Sequence, residues 1–368
     1  MKQKGKESVY FWALSLGISF LYLLIMNKTL PFLYSGENEV YRFDPTAFTL
    51  SLEPLGPKHR VDTFFTSYHQ YLLGFNFSPE GVKKYLHYIF LLGCGIYFQT
   101  YISKKNIQAS IFFLFLVLLS PLVLIHSTWV GFPDSFTLFF SFSLISYLQN
   151  SERLGRFKIW MFIMILLPGF MNHFFQFAIL SFELIALEFL IRGKWDREIL
   201  KAYFIILISS KIISGILFLI HGLEGGEEEI RILSSIPFND LINYTVMNFL
   251  IGFYSLFGPM LPIILLIIFL DRNRVYYLVL FAINFSITCI TLDTTRVFSI
   301  LNTPPLLLLL LHSDFPKFTN ERRDGKLEKI LLPGMMVLSI VLALSFPPIY
   351  KWAGKIYTLN PILSNFHK

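Results

Sequence analysis

Six residues carry most of the chemistry this chain can offer: Asp44, Asp134, Asn172, His173, Asp293 and Arg296. The run Thr291-Leu292-Asp293-Thr294-Thr295-Arg296 sets a carboxylate near a guanidinium just before an apolar stretch. Arginine can grip a phosphate through two parallel hydrogen bonds, and the aspartate can orient that phosphate or a sugar hydroxyl. The same pair would also serve as an interfacial anchor with a local ion pair. In Val130-Gly131-Phe132-Pro133-Asp134-Ser135, Pro133 suits the first turn of a helix and Asp134 suits its positive end. A structural cap and a functional carboxylate therefore fit Asp134 equally. Asn172 and His173 open another apolar run, and His126 closes an earlier one. A single interfacial histidine is more often a packing residue. With no second histidine at ligand spacing, no metal is assigned. Glu37, Glu39, Arg42 and Asp44 lead into Pro45-Thr46-Ala47-Phe48, where Asp44 is the candidate catalytic base. A loop that merely shields a helix bundle would have a similar sequence.

These residues need a scaffold, and composition says which kind. Hydrophobic residues make up 54% of the chain and charged residues only 15%, too apolar for a water-soluble protein of this length. The net charge of +7 is scattered through short loops, so it reads as a topology signal and not as a nucleic-acid footprint. Cys94 and Cys289 both fall inside apolar runs, which leaves no disulfide framework or metal-ligand spacing. No cofactor is expected.

Apolar runs near the bilayer-crossing length recur along the whole sequence and predict an all-α, polytopic transmembrane bundle of about ten or eleven spans. They are 9–26, 85–102, 107–125, 135–148, 159–170, 174–191, 202–220, 241–270, 275–292, 297–311 and 330–346. The first follows Lys2, Lys4 and Lys6 but is long for a signal peptide and lacks a small-residue cleavage site, so it reads as an uncleaved anchor. Residues 159–170 are short for a crossing and fit a tilted or re-entrant segment. The run 241–270 is too long for one level helix. It contains Gly258-Pro259 and Pro262, so part of it is expected along the interface, with a kink. The organisation is one integral membrane domain over 1–368, with a long extracytoplasmic first loop at 27–84 carrying interfacial helices. Phe64, Phe65, Tyr68, Tyr71 and Phe75 in that loop suit a platform at headgroup level.

Basic residues occupy every second loop after the first span: Lys104 and Lys105; Arg153, Arg156 and Lys158; Arg192 to Lys201; Arg272 and Arg274; Lys317 to Lys329. Those loops belong with the basic amino terminus in the cytoplasm, and the intervening ones face outward. The candidate residues then all fall at outward helix ends. Glu183 and Lys211 lie near mid-membrane by residue count, and unpaired charges are costly there, so they are expected to face each other inside the bundle. A solvated flap is expected at Gly222 to Glu229.

The arrangement resembles the GT-C superfamily of polytopic glycosyltransferases that take sugars from polyprenyl-phosphate donors. The resemblance rests on the cytoplasmic start, the long acidic first loop and the many short-looped spans. Locally it rests on Glu39 to Phe48 with Asp44 before an aromatic residue, on Gly131-Phe132-Pro133-Asp134, and on Asp293-Thr294-Thr295-Arg296. Glu37, Glu39 and Asp44 are more spread out than that family's closely spaced acids. The resemblance implies transfer of a sugar to an acceptor at the outward face of a membrane. The basic, phenylalanine-rich composition makes a bacterial inner membrane the default, and an endoplasmic reticulum protein with lumenal loops would satisfy the same topology rule. Asp44 would act as base, Arg296 would meet the departing phosphate, and Asp134, Asn172, His173 and Asp293 would orient sugar and phosphate. Membrane lipid, a polyprenyl-phosphate-linked donor and an unidentified acceptor are the implied partners. A transporter or flippase, and a noncatalytic membrane subunit, are the competing classes.

Overall fold

A computed structural model describes residues 65, 79–104, 120–122, 134–221, 237–247, 249–289, 291, 294–313, 326–346, 349–352 and 355–358. Among them the chain is almost entirely helical. The helices are α1 (Pro79–Lys104), α2 (Asp134–Asn150), α3 (Lys158–Asn172), α4 (Phe174–Arg192), α5 (Arg197–His221), α6 (Phe238–Val246), α7 (Phe249–Phe257), α8 (Leu261–Leu270), α9 (Arg274–Thr288), α10 (Thr294–His312) and α11 (Lys326–Ser345). A short antiparallel hairpin, β1 (Ile349–Trp352) and β2 (Lys355–Thr358), follows α11 with Trp352 opposite Lys355. That hairpin departs from the all-helical expectation. Its basis is the sequence Ile-Tyr-Lys-Trp, Ala-Gly, Lys-Ile-Tyr-Thr, in which strand formers flank two small residues.

Four helical stretches among the described residues are long and apolar enough to cross a bilayer: Phe174–Arg192, Arg197–Leu217, Phe249–Leu270 and Thr294–His312. A 19-residue helix such as α4 or α10 is about 28 Å long, close to the hydrocarbon thickness of about 30 Å. Helix α3 has only 15 residues, about 22 Å, as its short apolar run predicted. Burial separates core helices from lipid-facing ones. In α10, 94% of the apolar window is buried against 28% in α5, although α10 is the less hydropathic. Helix α5 turns Phe204, Ile205, Ile208, Ile212 and Ile216 outward, a stripe that a water-soluble protein would bury. These helices mark a membrane protein.

The described residues fall into two compact units. The first contains most of α1 together with α2 to α5. Helix α2 is its core, buried along nearly its whole length and packed by α3 and α4, while α3 also carries α5. Aromatic side chains fill the joints: Phe140 meets Phe177 edge-on at 6.3 Å, and Phe170 meets Phe177 at 5.4 Å and Tyr203 at 5.8 Å. One end of this unit is tied by charges. Gln149 Nε2 donates to Glu188 Oε2 at 2.6 Å, Arg192 pairs with the same Glu188, and Lys158 Nζ lies 2.5 Å from Asp196 Oδ2.

The second unit contains α6 to α11 and the hairpin, with α10 at its centre. The 241–270 run breaks where its sequence predicted. Helix α6 is a separate short helix that touches α7, and the crossing that follows is interrupted between α7 and α8 by a turn at Gly258–Met260. Gly258 has φ of 57°, a left-handed conformation that costs a residue with a Cβ about 1–2 kcal/mol. Pro259 then lacks the amide that would continue the helix. Helix α10 carries Pro304 and Pro305 inside its length. Without an amide on Pro305, the Leu301 carbonyl loses its helical donor, and Asn284 Nδ2 from α9 reaches toward that oxygen at 3.5 Å and toward Asn302 Oδ1 at 3.2 Å. At the basic end, Asp271 accepts the Asn273 amide at 2.7 Å and the Ser313 hydroxyl, joining the ends of α8 and α10 to the start of α9.

Asp196 illustrates how the basic end of the first unit holds. Its Oδ1 accepts the amides of Glu198 at 3.1 Å and Ile199 at 3.2 Å, capping α5, while Oδ2 takes Lys158. Burial pushes the carboxyl pKa up, but the Lys158 hydrogen bond and charge and the two amides together bring it below the ordinary 3.8. A depressed carboxylate contributes stability that is present above the unfolded value and lost as pH falls through the folded one. Replacing Asp196 by Ala is therefore expected to cost about 1–2 kcal/mol in thermal or denaturant unfolding in detergent. The stability difference between the unmodified chain and Asp196→Asn should shrink as pH is lowered through 3.8 and beyond.

Candidate functional site

The end of the first unit opposite its charged network gathers polar side chains. Helix α2 opens with Asp134 and places Thr137 one turn later on the same face; both are buried. Helix α3 closes with Asn172, completely buried, whose Nδ2 donates to Thr137 Oγ1 at 3.0 Å. A single residue, His173, reverses the chain into α4 with φ −152° and ψ 85°. Its amide bonds the Gly169 carbonyl at 3.3 Å, and its carbonyl accepts the Phe177 amide at 2.9 Å. Gln176 follows on the first turn of α4, also buried. Asp134, Asn172 and His173, far apart in sequence, are thus drawn to one helix-end region by the α2–α3 hydrogen bond and the one-residue turn. The partner that joins them is Thr137, a residue whose position inside an apolar run gives no sequence signal.

Lys211 also lies at this end. Its ammonium sits over the Phe174 ring at 4.7 Å from the centroid and the Phe175 ring at 5.2 Å, while its side chain is exposed. The expected internal pairing with Glu183 is therefore corrected. Helix α5 starts at Arg197, earlier than its apolar run at Ala202, so Lys211 lies about 21 Å along it, beside the first residues of α4. Glu183 sits about 13 Å further down α4 from Phe174. A cation over aromatic faces at a helix end can reach an interface without crossing the bundle, as long basic side chains in membranes do.

In the second unit the first turn of α10 carries Thr294, Thr295 and Arg296, all buried. Thr295 is the hub of a chain of hydrogen bonds. The Lys351 amide of β1 donates to Thr295 Oγ1 at 2.9 Å, Thr295 donates to Ser255 Oγ at 3.0 Å, and Ser255 donates to the Gly252 carbonyl at 2.6 Å. The Lys351 side chain runs back over α7, and its ammonium donates to the Met247 carbonyl at 3.0 Å. Burial lowers the Lys351 pKa from its ordinary 10.5, and nearby Cys289 opposes that shift. A Cβ on residue 252 would stand 3.2 Å from Lys351 Nζ and 3.5 Å from its Cδ, so the glycine leaves the passage open. The arrangement puts two basic residues at one helix start, Arg296 on the first turn of α10 and Lys351 through its backbone amide on Thr295. Chemically it suits an anion such as a phosphate. Lys351 lies beyond the apolar run 330–346, where the sequence carries no signal of a site.

Asp44 and Asp293 lie outside the described residues. Of the other candidates, Asp134, Asn172 and His173 belong to the first unit and Arg296 to the second. Among the described residues no group of three His, Cys, Asp or Glu side chains is placed to hold a metal ion. The chain matches no protein-family model, no curated protein and no solved structure.

The Gly252 passage is testable. Gly252→Ala gains helix propensity of about 0.8–1 kcal/mol and asks the flexible lysine to move a few tenths of an ångström, so its melting temperature in detergent should change little. Gly252→Val fills the passage, displaces the ammonium from the Met247 carbonyl, and should cost about 1–3 kcal/mol.

Proposed function

We propose that this chain is a polytopic membrane glycosyltransferase of GT-C type that moves a sugar from a polyprenyl-phosphate donor to an acceptor at the outward membrane face. The supporting observation is the division of chemistry between two buried helix-end clusters. One is a carboxylate–amide cluster, Asp134, Thr137 and Asn172 with His173 beside them. The other is a cationic cluster of Thr295, Arg296 and Lys351. The charge rule applied to the sequence assigns both ends to the outward side and the amino terminus to the cytoplasm; the apolar runs give the reading about ten or eleven spans, and a bacterial inner membrane is the setting it takes.

In this reading Asp44 accepts the proton of the acceptor hydroxyl as its oxygen attacks the anomeric carbon. The bond from that carbon to the phosphate oxygen breaks, and its electron pair leaves with the lipid phosphate. Arg296 and Lys351 stabilise the charge that grows on the departing phosphate. Asp134, Asn172 and His173 hold sugar hydroxyls, and Asp293 orients the phosphate. A lipid-linked donor accounts for polar clusters at helix ends, since the hydrocarbon tail stays at membrane depth while the phosphate reaches the interface. A transporter would instead use a polar path continuing through the bundle. Glu183 with Lys211 was the best sequence support for that class, and the seat of Lys211 on Phe174 and Phe175 at the start of α4 weakens it.

Transfer of radiolabelled sugar from a panel of polyprenyl-phosphate donors in reconstituted liposomes tests the proposal. Donor-dependent transfer is expected, falling about 10²–10⁴-fold in Asp44→Asn and about 10²–10³-fold in Arg296→Ala. Transfer that both variants sustain would remove the site assignment. Absence of transfer with every donor would move the weight to the transporter or the noncatalytic subunit.

A further inference from the structure

The charge-paired end of the first unit leaves two cations unmatched. Lys158 holds Asp196, Arg192 holds Glu188, and Lys201 holds Glu198 at 3.2 Å. Lys194 lies in the turn from α4 to α5, and Arg197 is the first residue of α5; both are exposed. Among the described residues neither side chain makes a hydrogen bond or an ion pair. Three peptide units separate them, so their Cα atoms are at most about 11 Å apart, and two long side chains can meet on one group between them.

Two tryptophans mark the level of this pair in the membrane. Trp195 stands between Lys194 and Asp196, exposed and edge-on to Phe189 at 5.3 Å, and Trp160 is exposed on the first turn of α3. The contact of Lys158 with Asp196 brings the two chain segments together, so both indoles lie at one height, where tryptophan collects at the headgroup layer. Below that height α5 offers hydrocarbon. Arg197, Phe204, Ile208 and Ile212 fall within about 80° of one another around the helix, and Phe204 lies about 10 Å beneath Arg197. All four are exposed, and α5 is the least buried of the four candidate crossings. Unmatched positive charge at headgroup level over an open apolar face is complementary to an anionic headgroup on a hydrocarbon tail.

We propose that the turn from α4 to α5 holds an anionic phospholipid of the surrounding membrane, with its headgroup phosphate on Lys194 and Arg197 and an acyl chain along Phe204, Ile208 and Ile212. Lipid tails are as apolar as this face, so the chain adds little selection over neighbouring lipids. Discrimination comes from net headgroup charge, because a zwitterionic lipid carries a cation that offsets its phosphate and an anionic one does not. The bound lipid neutralises the two cations that the protein leaves unpaired and anchors the α4–α5 turn at the interface. The site lies at the end of the unit opposite Asp134, Asn172 and His173, and it holds whether or not the chain transfers sugar.

The test is native mass spectrometry of the full chain in detergent, titrated with dioleoyl phosphatidylglycerol or dioleoyl phosphatidylcholine, which share their chains and phosphate and differ in net charge. The first phosphatidylglycerol is expected to bind at least about fivefold more tightly than phosphatidylcholine. In the double variant Lys194→Gln, Arg197→Gln the two lipids should bind within about twofold of each other. Both side chains are exposed and unpaired, so the melting temperature of that variant should match that of the unmodified chain. Arg274→Gln removes an exposed cation at the start of α9 and should leave the preference intact. Equal loss in Arg274→Gln would reduce the preference to overall charge and overturn the site, as would a preference that the double variant retains. Displacement of phosphatidylglycerol by glycerol 3-phosphate at equal concentration would replace the lipid by a soluble anion. A dimer in the spectra that Ile208→Trp disperses would give the face to a second copy and contradict the proposal.

Discussion

Inside a hydrocarbon layer no water is available to satisfy an amide, a carbonyl or a side-chain dipole, so every such group at membrane depth must find its partner within the protein. The two units meet this demand in the same way. Backbone groups close on themselves in helices, and side-chain polarity is pushed to helix ends or paired between neighbouring helices. Where the helix itself fails, a side chain intervenes. Pro305 leaves the Leu301 carbonyl without its usual donor, and Asn284 from the adjoining helix approaches that oxygen while also meeting Asn302. Ser181 bonds back to its own helix and to Tyr203, and Tyr203 donates to the Ala178 carbonyl at 2.8 Å. These polar residues deep in the helices are thus tied to structure, and the candidate residues that the structure describes are found where helices begin and end.

The same constraint explains why the two ends of each unit differ. One end carries charge that is ion-paired or hydrogen-bonded: Glu188 with Arg192, Asp196 with Lys158, Asp271 with the Ser313 hydroxyl. The other end gathers residues of a different kind, a carboxylate beside amides in the first unit and two cations around hydroxyls in the second. Neither cluster is required by helix formation. Asp134 alone would suffice to favour the start of α2, yet Thr137 and Asn172 are buried with it, and the Lys351 side chain is carried across α7 through the gap that Gly252 leaves. Burying cations costs free energy, and the lowered Lys351 pKa is a direct expression of that cost.

Much of this was legible in the sequence, for physical reasons that also set the limits. Apolar run length gave the helical class, the shortness of α3 and, through Gly258-Pro259, the break between α7 and α8. Polar residues at the edges of apolar runs led to Asp134, Asn172, His173 and Arg296. Depth was less legible, because residue counting assumes where a helix begins. A polar cap at Asp196 starts α5 before its apolar run, and Lys211 comes to lie beside the first residues of α4, away from Glu183. Thr137 was invisible because a threonine inside an apolar stretch reads as filler until its neighbour is known. Lys351 was missed because it lies outside the apolar runs and their edges. The alternation of its hairpin was present in the sequence, but its contact with Thr295 is made over 56 residues of chain.

The account rests on the polar clusters occupying the outward side of a membrane while the charge-paired ends occupy the other. Single cysteines introduced after replacing Cys94 and Cys289 by Ala test this directly, with a membrane-impermeant maleimide applied to intact cells or right-side-out vesicles. Phe175→Cys and Met247→Cys, both exposed and beside the polar clusters, should label from outside. Trp195→Cys and Arg272→Cys, exposed at the charge-paired ends, should label only after the membrane is opened. Labelling of Phe175→Cys and Met247→Cys from opposite sides would contradict the account, as would labelling of both ends of one unit from the same side.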